Sequence, residues 1–201
     1  MKRENAPFPS APFALLLVEG GDEHALFKAC AGSLWTRFTC WVASNNQGVF
    51  RLAQLAAMDP NAARIGSIGV VLDAEEDPAK ALEQATSALS LFPTVPVRLK
   101  LILPSSSHRG SVETLVRRAY RDLKTAECTD AFMHCVSAEF STQALRDKAW
   151  VHAYLACSEP KLRWHQAFDA ATAPHGFDLS HASLAPLFEL VQALAGVIPG
   201  A

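Results

Sequence analysis

Two apolar runs in this chain each end in a group of carboxylates. Leu15-Leu16-Leu17-Val18 leads into Glu19-Gly20-Gly21-Asp22-Glu23, and Ile68-Gly69-Val70-Val71-Leu72 leads into Asp73-Ala74-Glu75-Glu76-Asp77-Pro78. Carboxylates gathered in one place repel one another unless a cation holds them, so the pair of clusters points to a divalent-metal site. Asp73 and Glu75 stand two residues apart; on an extended segment both point the same way and reach one ion. Glu19 ends a rigid apolar run and precedes two glycines, which permit a tight turn and leave the backbone open to a ligand. The outer acids have rival explanations. Asp22 and Glu23 would complement the dipole of a helix that starts there. Asp77 continues the acidic spacing, but directly before Pro78 it also suits a helix N-cap. Glu76 reads as solvated.

Two residues from distant segments join the group. Glu113 falls in the first turn of a helix that follows a later strand, where a surface glutamate is equally at home. Lys148 lies between Leu145 and His152 on the expected inner stripe of a helix over 143–157. A lysine there needs an anionic partner or a route to water, whereas His152 reads as a hydrogen-bonded core histidine. Arg109, Arg117, Arg118 and Arg121 form the best local group of positive charge, and a solvated helix face accounts for them.

The elements that must position these residues alternate. Strands are expected over 13–19, 38–42, 67–73 and 97–103, the third nearly all apolar as in a strand covered on both faces. Helices are expected from Gly21 or Asp22 to about Gly32, over about 49–58, from Pro78 with an apolar stripe through Phe92, and over about 111–123. Asn45-Asn46-Gln47-Gly48 reads as a turn and 170–183 as a loop. Further helices are expected over 143–157 and 184–194. The pattern predicts an α/β fold: a mostly parallel sheet of about four to five strands, helices on both faces, and a helical C-terminal part. It divides into a tail over 1–12, an α/β core over 13–125 and a helical extension over 126–201 packed on that core. Sites in such sheets lie beyond the carboxyl ends of the strands, where both acidic clusters stand.

At 201 residues and 50% hydrophobic, the chain is long enough to bury a sizeable core, and its net charge of −2 excludes a strongly basic nucleic-acid-coating protein. The five cysteines show no C-x-x-C spacing, so reduced, buried thiols are expected. No signal-peptide or membrane-spanning run stands out, and the expectation is a cytoplasmic protein. H-E-x-x-H, a P-loop and a G-x-S-x-G elbow are all missing, which argues against zinc-protease, P-loop and serine chemistry.

Leu16-Leu17-Val18-Glu19-Gly20 followed by Val71-Leu72-Asp73-Ala74-Glu75 resembles the Toprim pattern. In that domain, shared by topoisomerases, primases and OLD nucleases, a glutamate after the first strand and a D-x-D-type pair after a later one bind magnesium. More narrowly, Ile68 to Pro78 and Arg146-Asp147-Lys148-Ala149-Trp150-Val151-His152 resemble a stand-alone Toprim-like group of bacterial proteins, DUF3226, over roughly residues 13–195. The resemblance implies Glu19 and Asp73 as metal ligands completed by Glu75, with Glu23 and Asp77 as secondary acids. It implies Glu113 as a further acid and Lys148 as a catalytic lysine beside the metal. It departs from the group's pattern at Ser105 and Thr114, where acids are expected. The implied activity is a Mg²⁺- or Mn²⁺-dependent nuclease. The departures favour a catalytically degenerate domain that binds or regulates a partner protein. Phosphotransfer on a small nucleotide is the third reading. Nucleic acid or a nucleotide is the expected ligand, and no membrane is.

Overall fold

The computed structural model describes residues 8–43, 48–136, 139–158, 161–168 and 176–197. The expected turn at 45–47, part of the expected tail and much of the expected 170–183 loop lie outside the described residues. Four parallel strands form one sheet in the order β2-β1-β3-β4: β1 (Phe13–Val18), β2 (Phe38–Val42), β3 (Ile65–Asp73) and β4 (Val97–Leu103). The chain runs outward from β1 to β2, then crosses back to lay β3 on the other side of β1. That reversal opens a crevice at the carboxyl ends of β1 and β3.

Both faces of the sheet are covered, as the apolar strands require. Leu15 and Leu17 of β1 and Val70 and Leu72 of β3 face α2 (Gly48–Ala57) and α3 (Pro78–Ser90). The alternate residues Leu16, Val18 and Val71 face the other way. There they meet α1 (Gly21–Ala31), α4 (Val112–Val116), α5 (Leu123–Val136), α6 (Gln143–Cys157) and α7 (Ala185–Ala195) in one continuous core. This period-two division is what a pleated strand imposes. The C-terminal helices share that core with β1, and thereby fix α4 and α6 against the carboxyl edge of the sheet.

Strands β2 and β4 have the expected bounds. The expected helix over 111–123 does not form as one piece. It stops at Val116, and α5 begins after Asp122, which caps it by accepting from Thr125 N–H (3.1 Å) and Thr125 Oγ1 (2.8 Å). The break is tertiary in origin. Residues 176–178 come alongside, so that Ala119 C=O accepts from Asp178 N–H (2.6 Å) and Arg121 N–H donates to Gly176 C=O (3.2 Å). The cysteine expectation needs correction as well. Cys30 is buried, its thiol pushed up by burial to about 12, whereas Cys128, Cys135 and Cys157 are exposed. Among the described residues no helix is long and apolar enough to cross a membrane.

Candidate metal centre

The carboxyl ends of β1 and β3 meet in a cleft of ≈ 380 Å³. Glu19, Asp73 and Glu75 line it, and α1 contributes Asp22 and Glu23. Glu113 from α4 and Lys148 from α6 complete it. Of the residues singled out from the sequence, one does not arrive. Asp77 instead caps α3, accepting from Lys80 N–H at 3.0 Å, and is not part of the cleft wall. Pro78 at the first helical position fixes that cap where it is.

Backbone donors stitch the three elements of the cleft together. Glu19 Oε2 accepts from Asp73 N–H (3.0 Å), and Asp73 Oδ1 accepts from Val112 N–H at the start of α4 (2.9 Å). Glu75 reaches the cleft by a different route from the one its spacing suggests. Strand β3 ends at Asp73, and Glu75 adopts a left-handed conformation (φ 45°). A two-way backbone pair holds it, from Glu75 N–H to Gly110 C=O (2.6 Å) and from Gly110 N–H to Glu75 C=O (2.8 Å). Gly110 itself has φ 134°, a conformation open to glycine and rarely to other residues.

Gly20 matters for space. A Cβ built there would lie 2.6 Å from Glu23 Oε2, so the bare backbone is what lets the Glu23 carboxylate fold in behind Glu19. Glu23 and Glu113 are both buried, at 6% and 3% exposure. Glu113 Oε2 accepts from Ser111 Oγ (2.7 Å), and Lys148 Nζ stands 3.9 Å from Glu113 Oε1. The surface-glutamate explanation of Glu113 therefore fails, because α4 turns that face inward.

The expectation for α6 was out of phase. Its buried stripe is Asp147, Trp150, Val151, Tyr154 and Leu155, while Leu145, Lys148 and His152 are exposed. His152 is thus not a core histidine. Lys148 sits at the cleft rim rather than within an apolar stripe, so it meets the carboxylates and water at once. The residue that sequence reasoning missed is Asp147. It is 2% exposed and accepts from Thr114 Oγ1 (2.7 Å), Arg117 Nη1 (2.8 Å) and Gln143 Nε2 (2.8 Å). This clamp joins α6 to α4 and sets Lys148 beside Glu113. The available signal was periodic: 147, 150, 151 and 154 follow the spacing of a helix face, with the acid at its head.

Too few donors reach the carboxylates of the acidic cleft. Burial pushes Glu23 up to about 7, helped by the charges of Glu113, Asp22 and Glu19. Burial, then the charges of Glu23, Glu113 and Glu19, lift Asp73 well above the ordinary aspartate range against the pull of Val112 N–H. Glu19 rises through burial, opposed by Asp73 N–H and assisted by Glu75. Asp22 rises through burial and Glu113, opposed by Lys148 and His152. Neutralising these groups requires protons or a cation. The donors are all oxygens, with no histidine or cysteine in the cleft wall, which suits a hard ion such as Mg²⁺ or Mn²⁺ over zinc. Among the described residues, no three His, Cys, Asp or Glu side chains already stand together as a finished ligand set.

A second cleft of ≈ 610 Å³ lies against the first, lined by Ser105, His108, Arg109, Thr114 and Arg118 among others. Both positions that depart from the expected acidic pattern, Ser105 and Thr114, fall here and not in the acidic cleft.

No curated protein and no solved structure matches this chain. A family model described as "Protein of unknown function (DUF3226)" matches residues 14–194, nearly the whole of the chain that carries the sheet and both clefts, and the protein belongs to that family.

Proposed function

We propose that the acidic cleft holds a divalent cation, Mg²⁺ or Mn²⁺, and that the protein is a Toprim-like phosphodiesterase acting on nucleic acid. One observation carries the reading. The switch point of the sheet gathers Glu19 and Asp73, with Glu23, Glu75 and Glu113, around one cleft; burial makes Glu19, Glu23 and Asp73 resist ionisation there, and a lysine stands at the rim. Glu19, Asp73 and Glu75 are the residues that would hold the ion. When bound, such an ion polarises a phosphoryl oxygen and lowers the pKa of a water. The chain supplies the rest. Asp73 and Glu19, pinned by backbone N–H groups, keep their remaining oxygens in place without reorganisation. Lys148, at the rim, offsets negative charge that builds on a phosphate in the cleft. Glu23, near neutrality in its proton affinity, is suited to exchange a proton there.

The test is plasmid cleavage in Mn²⁺ by wild type beside Glu19→Gln and Asp73→Asn. Cleavage by wild type and a loss of about a hundredfold or more in both variants is expected. Equal cleavage by all three, or none by a wild type that demonstrably binds the ion, would sink the reading. A second reading, a domain that binds without cleaving, is favoured by Ser105 and Thr114, which stand where the resemblance expects acids and line the second cleft. Metal binding without turnover would select it.

A further inference from the structure

We infer that the second cleft is a phosphate subsite: it holds a phosphate of the same nucleic-acid strand, adjoining the one presented to the acidic cleft. This extends the proposed function and rests on its nucleic-acid part.

The two clefts share the wall made by α4 and α6. Glu113 and Lys148 line one, while their chain neighbours Thr114 and Asp147 line the other. A strand with one phosphate in the acidic cleft therefore runs on past that wall toward the second cleft.

The charge of the second cleft is opposite to that of the first. Its one buried acid, Asp147, is consumed by Arg117, Thr114 and Gln143. Arg117 in turn is committed to Asp147, to Asp130 (3.4 Å) and to the Trp150 ring (5.4 Å). What remains for a ligand is Arg118, Arg109 and His108. Among the described residues no carboxylate pairs with Arg118, which is exposed. Arg109 has only a long, exposed contact with Glu76 (3.5 Å), of the kind worth little in water. His108 Nδ1 is bracketed by Ser105 Oγ (2.8 Å) and Ser107 Oγ (3.0 Å). When a hydroxyl donates to Nδ1, the ring proton sits on Nε2 and is available to an anion. Arg121, grouped with these arginines by sequence, turns away to Asp178 (3.5 Å) and takes no part. Two arginines and an imidazole, opposed only by the exposed Glu76 contact to Arg109, make a recognition set for a phosphodiester.

The experiment is fluorescence anisotropy with a labelled single-stranded oligonucleotide, in EDTA, across 50–200 mM salt, on the full chain. Without a cation the acidic cleft repels phosphate, so binding reports the second cleft. Wild type is expected to bind. Arg109→Ala/Arg118→Ala is expected to weaken binding about tenfold or more and to lower the salt slope by about 1.4, near 0.7 for each lost contact. Arg118→Lys should recover part of the loss. Glu19→Gln and Asp73→Asn should bind at least as well as wild type. A double variant that binds like wild type, or a wild type that binds no strand, overturns the inference. Competition by inorganic phosphate as effective as by unlabelled strand, per phosphate, would reassign the cleft to free anions and overturn it too. Cleavage assays separate the two failures. A wild type that binds through Arg109 and Arg118 but never cleaves sinks the nuclease reading alone. One that cleaves with binding indifferent to both arginines sinks the subsite alone.

Discussion

Two buried acids, Asp147 of the second cleft and Glu23 of the acidic one, have opposite surroundings. Asp147 receives three donors from two helices and an arginine, so its burial is balanced and it serves as a clamp. Glu23 is nearly as buried but faces Glu113, Asp22 and Glu19, and its carboxyl is pushed up to about 7. The difference separates an acid that holds the fold together from one that the fold tolerates at some expense in stability. Acids of the second kind, gathered at a strand switch point, are where a cation adds most.

The contrast is sharpest in stability. Asp147→Ala strands Arg117, Thr114 and Gln143 and should destabilise by about 3 kcal/mol, read from urea unfolding. A loss under about 1 kcal/mol would remove Asp147 from the role of clamp. Glu23→Gln should do the reverse. The folded pKa of Glu23 lies above its unfolded value near 4.5, so the folded state binds more protons. Its stabilising contribution is complete below about pH 4.5 and is lost as pH rises through about 7. Metal-free Glu23→Gln should therefore be more stable than wild type at pH 8, by roughly 2–3 kcal/mol, and equal to it near pH 4. Thermal melts of both proteins across that range are the check, and parallel curves would contradict it.

Smaller effects probe the geometry between the two acids. Lys148→Ala removes a long contact to Glu113 from an exposed site and should change stability by less than about 0.5 kcal/mol. Cleavage, if phosphate charge is offset there, should fall about a hundredfold. Comparable losses in folding and in rate would make Lys148 structural. Gly20→Ala places a methyl against Glu23 Oε2, and the end of that side chain can yield, so a destabilisation of about 1 kcal/mol is expected. Its larger mark should be a weaker Mn²⁺ affinity, measured alongside.

The sheet was legible because its strands are apolar, short and punctuated; the bounds of β2 and β4 follow from that alone. The acidic cleft was legible because strand ends carry its carboxylates on two separate runs. What escaped was set by distant parts of the chain. The helix expected over 111–123 breaks because residues 176–178 take up Ala119 C=O and Arg121 N–H. Glu75 enters the cleft through its pairing with Gly110 and a left-handed turn, not through strand alternation. Asp77 was drawn off by its cap on α3. The buried face of α6 departs from its hydrophobic pattern because Leu145, an apolar residue, is exposed and Asp147, a charged one, is buried. Hydrophobicity alone places those two the wrong way round; only the donors on Arg117, Thr114 and Gln143 explain the inversion.

Titration of Mn²⁺ into the metal-free protein at pH 7.5, followed by calorimetry, decides whether the acidic cleft is a cation site. Saturable binding is expected, with release of protons from the cleft carboxyls, weakened at least tenfold in Glu19→Gln and in Asp73→Asn and unchanged in Asp77→Asn. No binding by wild type at millimolar Mn²⁺, or binding that Asp73→Asn leaves intact, would contradict it.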